Sequence, residues 1–167
     1  MTQTSQYMTV TETAKLIRAA LAANFPGTTF SVRSKSYSGG ASVRVHWTDG
    51  PNTSAVDAIA RRYQGASFDP MVDLKSYHSS VLVSEQGPRE VHFGADFVSC
   101  ARTITKELER RAEADQIIRA RCGGIKDDKW GDQWVSHLAA DMVYALDFTK
   151  GETLDTTFRR VVLRREN

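Results

Sequence analysis

The sequence is poor in the residues that do covalent and metal chemistry. Of 167 residues, two are cysteines, Cys100 and Cys122, and four are histidines, His46, His78, His92 and His137. Two widely spaced cysteines make no disulfide framework, and without histidines at ligand spacing they make no zinc site. They are read as reduced thiols, Cys100 as packing and Cys122 at a helix C-terminus, where the dipole raises a thiol's pKa. The histidines show no His-Glu-x-x-His or His-x-His pattern, so no metal is expected and no cofactor is implied. His137 and Asp141, four residues apart on one helix face, read as a surface pair before a ligand pair. No serine stands in a Gly-x-Ser-x-Gly elbow. Asp69 and Asp73 read as part of a turn; Asp127, Asp128 and Asp132 read as a helix start, where acids suit the dipole. No catalytic residues are expected, and the chain is read as a non-enzyme. Charge of one sign is also scarce. The net charge of +2 is too small by itself to imply nucleic acid. No apolar run is long enough to span a membrane and no signal peptide opens the chain, so a soluble intracellular protein without a membrane partner is expected.

What is present is ordinary globular composition, 41% hydrophobic and 25% charged, over a length that fits one domain. Residues 1–8 lack periodicity and read as a flexible N-terminus. Thr9 and Glu12 match a capping box ahead of a helix over about 10–24, which Pro26-Gly27 ends. Phe30 and Val32 alternate with Ser31, Arg33 and Lys35; Val43, Val45 and Trp47 alternate with Ser42, Arg44 and His46. That is the period of two half-buried strands, joined by Gly39-Gly40 as a hairpin. A helix capped by Thr53 or Ser54 follows, with Val56, Ile59, Ala60 and Tyr63 on one face. Residues 66–80 read as a long connection and 81–94 as a second hairpin, while 95–102 are open between strand and loop. A third helix is expected after Thr105 as cap, with Leu108, Ala112 and Ile117 or Ile118 apolar and Glu107 to Arg111 at i,i+4. A fourth spans about 129–147, with Trp130, Trp134, Leu138 and Met142 at i,i+4 steps. The tail, with Arg159, Arg160, Arg164 and Arg165, reads as a last strand whose arginines are either an edge face or a docking patch. The order α-β-β-α-β-β-α-α-β implies an α+β fold: an antiparallel sheet of two hairpins with helices on one face.

The glycine pair in "SYSGGAS" raises the question of a phosphate loop. Such a loop needs a lysine and then Ser or Thr entering a helix; here a strand-period segment without that lysine follows, so the turn is favoured. The outward side of the hairpin is more informative. If Phe30, Val32, Val43, Val45 and Trp47 point inward, Arg33, Lys35, Arg44 and His46 point outward, with Tyr37 on the same parity. A basic strip with an aromatic is the type of surface that holds phosphates and stacks a base. Arg61, Arg62 and Tyr63 on the second helix are candidates to extend it. The alternative is a solvated sheet face whose charges keep edges from pairing.

The stretch "TETAKLIRAALAANFPGTTFSVRSKSYSGGASVRVHWTDGP", with "GASFDPMVD" and "VHFGADFVSCARTIT", resembles class twenty-nine of the large polyvalent-protein-associated domains. The resemblance covers residues 9–121 as one domain-sized unit; residues 125–167, a helix and basic strand expected to pack on the same domain, match nothing. It implies a setting in phages and conjugative plasmids, hence a bacterial cytoplasm, and a part in genome transfer and counter-defence. It carries no catalytic residues. For a free-standing chain it implies an anti-CRISPR-like protein that blocks a subunit of a host defence complex, a CRISPR effector or restriction system, by surface binding. The other reading is a nucleic-acid-binding accessory of DNA transfer.

Overall fold

The computed structural model describes residues 5–69, 71, 74–84, 87–123, 125 and 128–161. Asp73, Asp127, Arg164 and Arg165 lie outside the described residues. The fold is α+β, and the chain divides into two compact units, Met1–Trp47 with Ser54–Ala101 and Thr48–Thr53 with Arg102–Asn167.

In the first unit, β1 (Gln6–Met8) precedes α1 (Val10–Asn24). Thr9 caps α1: the Glu12 N–H donates to the Thr9 hydroxyl at 3.2 Å, and the Thr9 N–H donates to the Glu12 carboxylate at 2.7 Å. The Thr9 N–H and the Thr9 hydroxyl, both donating to the Glu12 carboxylate, hold that carboxyl below its ordinary pKa. The hairpin β2 (Ser31–Tyr37) and β3 (Gly40–Thr48) forms as the alternation requires, and β8 (Phe97–Thr103) adds a third strand beside β3. Val43, Val45 and Trp47 are fully buried with Ile17 and Leu21 of α1 and with Val56 and Ala60 of α2 (Thr53–Ala60). Two helices thus cover one face of this sheet.

The N-terminal segment and the connection are more ordered than their composition indicates. Residues 6–8 pair in parallel with β7 (Gly87–Phe93), so they are not a loose end. Segment 66–80 contains β4 (Ala66–Asp69) and β5 (Leu74–Tyr77), which pair antiparallel. The second hairpin, β6 (Ser80–Ser84) with β7, forms as expected but shares its sheet with β1 rather than with the first hairpin. Among the described residues there are therefore three small sheets, β1-β7-β6, β2-β3-β8 and β4-β5, not one. Two glycines permit close backbone approach where these segments meet. A Cβ on Gly65 would lie 1.9 Å from the Phe93 carbonyl oxygen, and one on Gly94 would lie 2.4 Å from that of Met8.

The second unit has its own core, in which Ala114 and Ile118 of α3 (Glu107–Arg121) meet Val135, Leu138, Ala139, Met142 and Val143 of α4 (Lys129–Ala145). Both helices lie in this second unit. Thr105 does not cap α3: its N–H and hydroxyl donate to the Asp49 carboxylate at 2.9 and 2.7 Å, and Lys106 takes the cap position in the left-handed region. The Glu107–Arg111 pair forms as spaced. Asp128 caps α4, accepting from the N–H groups of Trp130 and Gly131. As far as residue 161 the tail is helix and not strand; residues 162–167 lie outside the described residues. Residues Leu154–Val161 form α5, in which Leu154, Thr157 and Phe158 are buried at helical spacing. Arg160 is paired with Glu152 at 2.7 Å, while Arg159 is exposed. No described helix is long and apolar enough to cross a membrane.

Candidate functional site

The face of β2-β3-β8 opposite the helices carries the basic strip. Register places Arg33 directly across from Arg44, Ser31 across from His46, Lys35 across from Ser42 and Tyr37 across from Gly40. Arg33, Lys35, Tyr37, Arg44 and His46 are all exposed, and Ser31, Arg33, Arg44 and His46 line a shallow concavity of about 310 Å3. Two guanidinium groups directly opposite on one face repel. Among the described residues no carboxylate forms an ion pair with Arg33, Lys35 or Arg44, whereas Arg61, Arg111, Arg119, Arg121 and Arg160 each have one.

The hairpin turn answers the question its glycines raise, and the two glycines serve different ends. Gly39 sits in the turn at a φ of +86°, a conformation that costs a glycine little. Gly40 is already the first residue of β3, and its missing Cβ leaves room for Asp96, whose Oδ2 would lie 2.4 Å from it. That carboxylate accepts from the Ala41 N–H at 2.7 Å, and the Asp96 N–H donates to the Ala41 carbonyl at 2.9 Å. The Lys75 ammonium lies 2.7 Å from the same carboxylate oxygen and 3.3 Å from the Gly39 carbonyl. The hydrogen bond to Asp96 raises the Lys75 pKa above its ordinary value.

Lys75 gathers aromatic rings around this clasp. Its ammonium is 4.9 Å from the Tyr77 ring centroid and 5.9 Å from that of Phe97. Tyr37 packs its ring edge beside Gly40. Tyr37, Tyr77 and Phe97 are 45%, 68% and 38% exposed, so one end of the open face is aromatic and the rest is cationic. Sequence reasoning found Tyr37 and missed Lys75, Tyr77, Asp96 and Phe97. The only signal for them was the Gly-Ala-Asp segment, whose Asp96 is the clasp.

Replacing Asp96 with alanine strands the Ala41 N–H and the Lys75 ammonium and is expected to cost about 2 kcal/mol. Because the Lys75 pKa is raised, its share of that stability is present below the ordinary lysine range and is lost as pH rises through the folded-state value. Urea melts at pH 7 and above pH 10.5 check both points: the gap between wild type and Asp96→Ala should narrow at the higher pH.

Arg61, Arg62 and Tyr63 do not join the strip. They form a 3-10 turn continuing α2, and α2 packs on the buried side of the sheet. Arg61 pairs with Asp57 at 3.2 Å, Arg62 donates to the Ala58 carbonyl at 2.9 Å, and Tyr63 is half-buried against Phe93 at 5.3 Å between centroids. The other titratable candidates are dispersed. His78 sits 2.8 Å from the Ser67 hydroxyl, and His137 lies 2.7 Å from the Gln133 carbonyl. Among the described residues no three His, Cys, Asp or Glu side chains converge as a metal set. Cys100 packs against the first core, where burial, with Asp57 beside it, pushes its thiol up to about 12. Iodoacetamide at pH 8 is therefore expected to leave Cys100 unmodified in the folded protein and to alkylate it in urea, as read by peptide mass; fast native labelling would contradict this.

A family model, large polyvalent protein associated domain 29, matches residues 8–105, more than half of the chain. Neither the curated proteins nor the solved structures contain a match. The matched span holds α1, the first hairpin and the clasp that ties Gly40 to Asp96 and Lys75. The chain belongs to the large polyvalent protein associated domain 29 family, which associates it with phages and other mobile elements.

Proposed function

We propose that this chain is a binding protein of a mobile element, not an enzyme, and that it binds nucleic acid during DNA transfer with the open face of β2-β3-β8. The observation that carries the reading is Arg33 set directly opposite Arg44, with Lys35 on the same side and no described carboxylate to balance them. A fold that tolerates such a repulsive pair gains from it when an anion lies across it, and a phosphate backbone supplies anions at a regular spacing. Binding of labelled DNA or RNA at low salt, followed by fluorescence anisotropy, tests the reading; no binding to any strand or duplex removes it.

A second reading is counter-defence, in which the protein inhibits a host nucleic-acid-targeting complex, a CRISPR effector or restriction system, in the manner of an anti-CRISPR. The channels of such complexes are themselves basic, so the basic sheet face is a poor match for them. What favours this reading is on α4, where Trp130 and Trp134 are 76% and 47% exposed one turn apart, the type of anchor that dominates protein interfaces. Expression in cells with active CRISPR or restriction systems tests it. Restored phage or plasmid survival supports it, and no rescue against any system removes it.

A further inference from the structure

We infer that the open face takes a single strand and not a duplex, with bases stacked on Tyr37 and Phe97, flanked by Tyr77, and phosphates on Arg33, Lys35 and Arg44. The inference rests on the nucleic-acid reading and narrows its ligand. Tyr37 stands on one edge strand of the sheet, β2, and Phe97 on the other, β8. The space over Gly40 of the middle strand, β3, is taken by the Asp96 carboxylate and the Lys75 ammonium. Tyr37 and Phe97 nonetheless remain exposed, which leaves ring surface on both edges for planar groups to reach. Lys75 fixes the site from outside the sheet: its ammonium lies near the rings of Tyr77 and Phe97 and is itself held by Asp96. The cations occupy the rows next to the rings, Lys35 in the row of Ser42 and Arg33 in the row of Arg44. Every base has a π face that such rings stack, but in a duplex those faces are covered by neighbouring pairs. The duplex major groove admits a helix or a two-stranded ribbon, and here the hairpin is widened by β8 to three strands.

The test uses the full chain with four labelled or competing ligands at one low salt concentration: oligo(dT), oligo(U), a DNA hairpin of equal nucleotide number, and poly-glutamate. Variants are Tyr37→Ala and Phe97→Ala, with melting curves to show that each folds. A strand carrying 5-iodouracil provides a second readout by photo-crosslinking. The expected result is a single strand bound at least roughly tenfold more tightly than the hairpin, weakened about fivefold or more by each aromatic substitution, with crosslinks on the peptides of Tyr37, Tyr77 or Phe97. The ratio of oligo(dT) to oligo(U) affinity assigns the strand to DNA or RNA. If hairpin and strand bind equally and the aromatic variants match wild type, the single-strand inference falls while the nucleic-acid reading stands. If poly-glutamate binds as tightly as the strands, the face reads charge alone and the inference falls. If no nucleic acid binds, both fall. A variant that fails to fold leaves the other variant and the crosslink to decide.

Discussion

Gly65→Ala is expected to destabilise the first unit by about 3 kcal/mol and to lower its melting temperature by about 10 °C. The position has an ordinary backbone conformation, so the cost is not one of strain in φ. It comes from space: a Cβ there would lie 1.9 Å from the Phe93 carbonyl oxygen and 3.0 Å from its carbon, and backbone cannot swing aside as a side-chain end can. The same residue links two of the small sheets to the loop before β8. Its N–H donates to the Ala95 carbonyl at 2.8 Å, and its carbonyl accepts from the His78 N–H at 2.8 Å. Moving Gly65 to make room therefore disturbs β5, β7 and the segment that delivers Asp96 to its clasp. Gly123→Ala is the control, because a Cβ there meets nothing within 4 Å; it should stay within about 0.5 kcal/mol of wild type. Equal melting temperatures for the two variants would show that the close approach carries no stability.

The double variant Arg33→Ala/Arg44→Ala is expected to weaken nucleic-acid binding roughly tenfold to a hundredfold, while its melting temperature holds or rises. The two expectations come from one geometry. Removing a directly opposed pair of like charges relieves repulsion of about 0.2–1 kcal/mol in the free protein. It also removes two of the cations that an extended anion would meet on this face. A structural pair would behave in the opposite way, losing stability when deleted. Lost binding together with a large fall in melting temperature would mean that the arginines support the fold instead of the ligand.

The hairpin and its outer face were legible because a half-buried strand writes its two faces into alternate residues, and the core under β3 needed Val43, Val45 and Trp47. The first helix was legible from a capping box whose two hydrogen bonds are both made. Elsewhere hydrophobicity misled. On α4, steps of four from Trp130 drift about 40° each around the helix, so the series leaves the buried stripe at one end. The stripe runs instead through Val135, Leu138, Ala139, Met142 and Val143, and both tryptophans are exposed. In the tail, the β-branched pair near residue 161 outweighed the helical spacing of Leu154, Thr157 and Phe158 and the Thr153–Thr156 hydrogen bonds that start α5. The aromatic end of the site was illegible for a different reason. Tyr37, Lys75 and the adjacent pair Asp96 and Phe97 come from three separate segments, and only tertiary contacts bring them to one turn.

The salt dependence of oligo(dT) affinity tests most directly whether the open face is a nucleic-acid interface. With Arg33, Lys35 and Arg44 on phosphates, the logarithm of the association constant should fall against the logarithm of salt with a slope of about −2, and Arg33→Ala/Arg44→Ala should reduce it to about −0.7. A slope near zero, or one that the double substitution leaves unchanged, would contradict the assignment of this face.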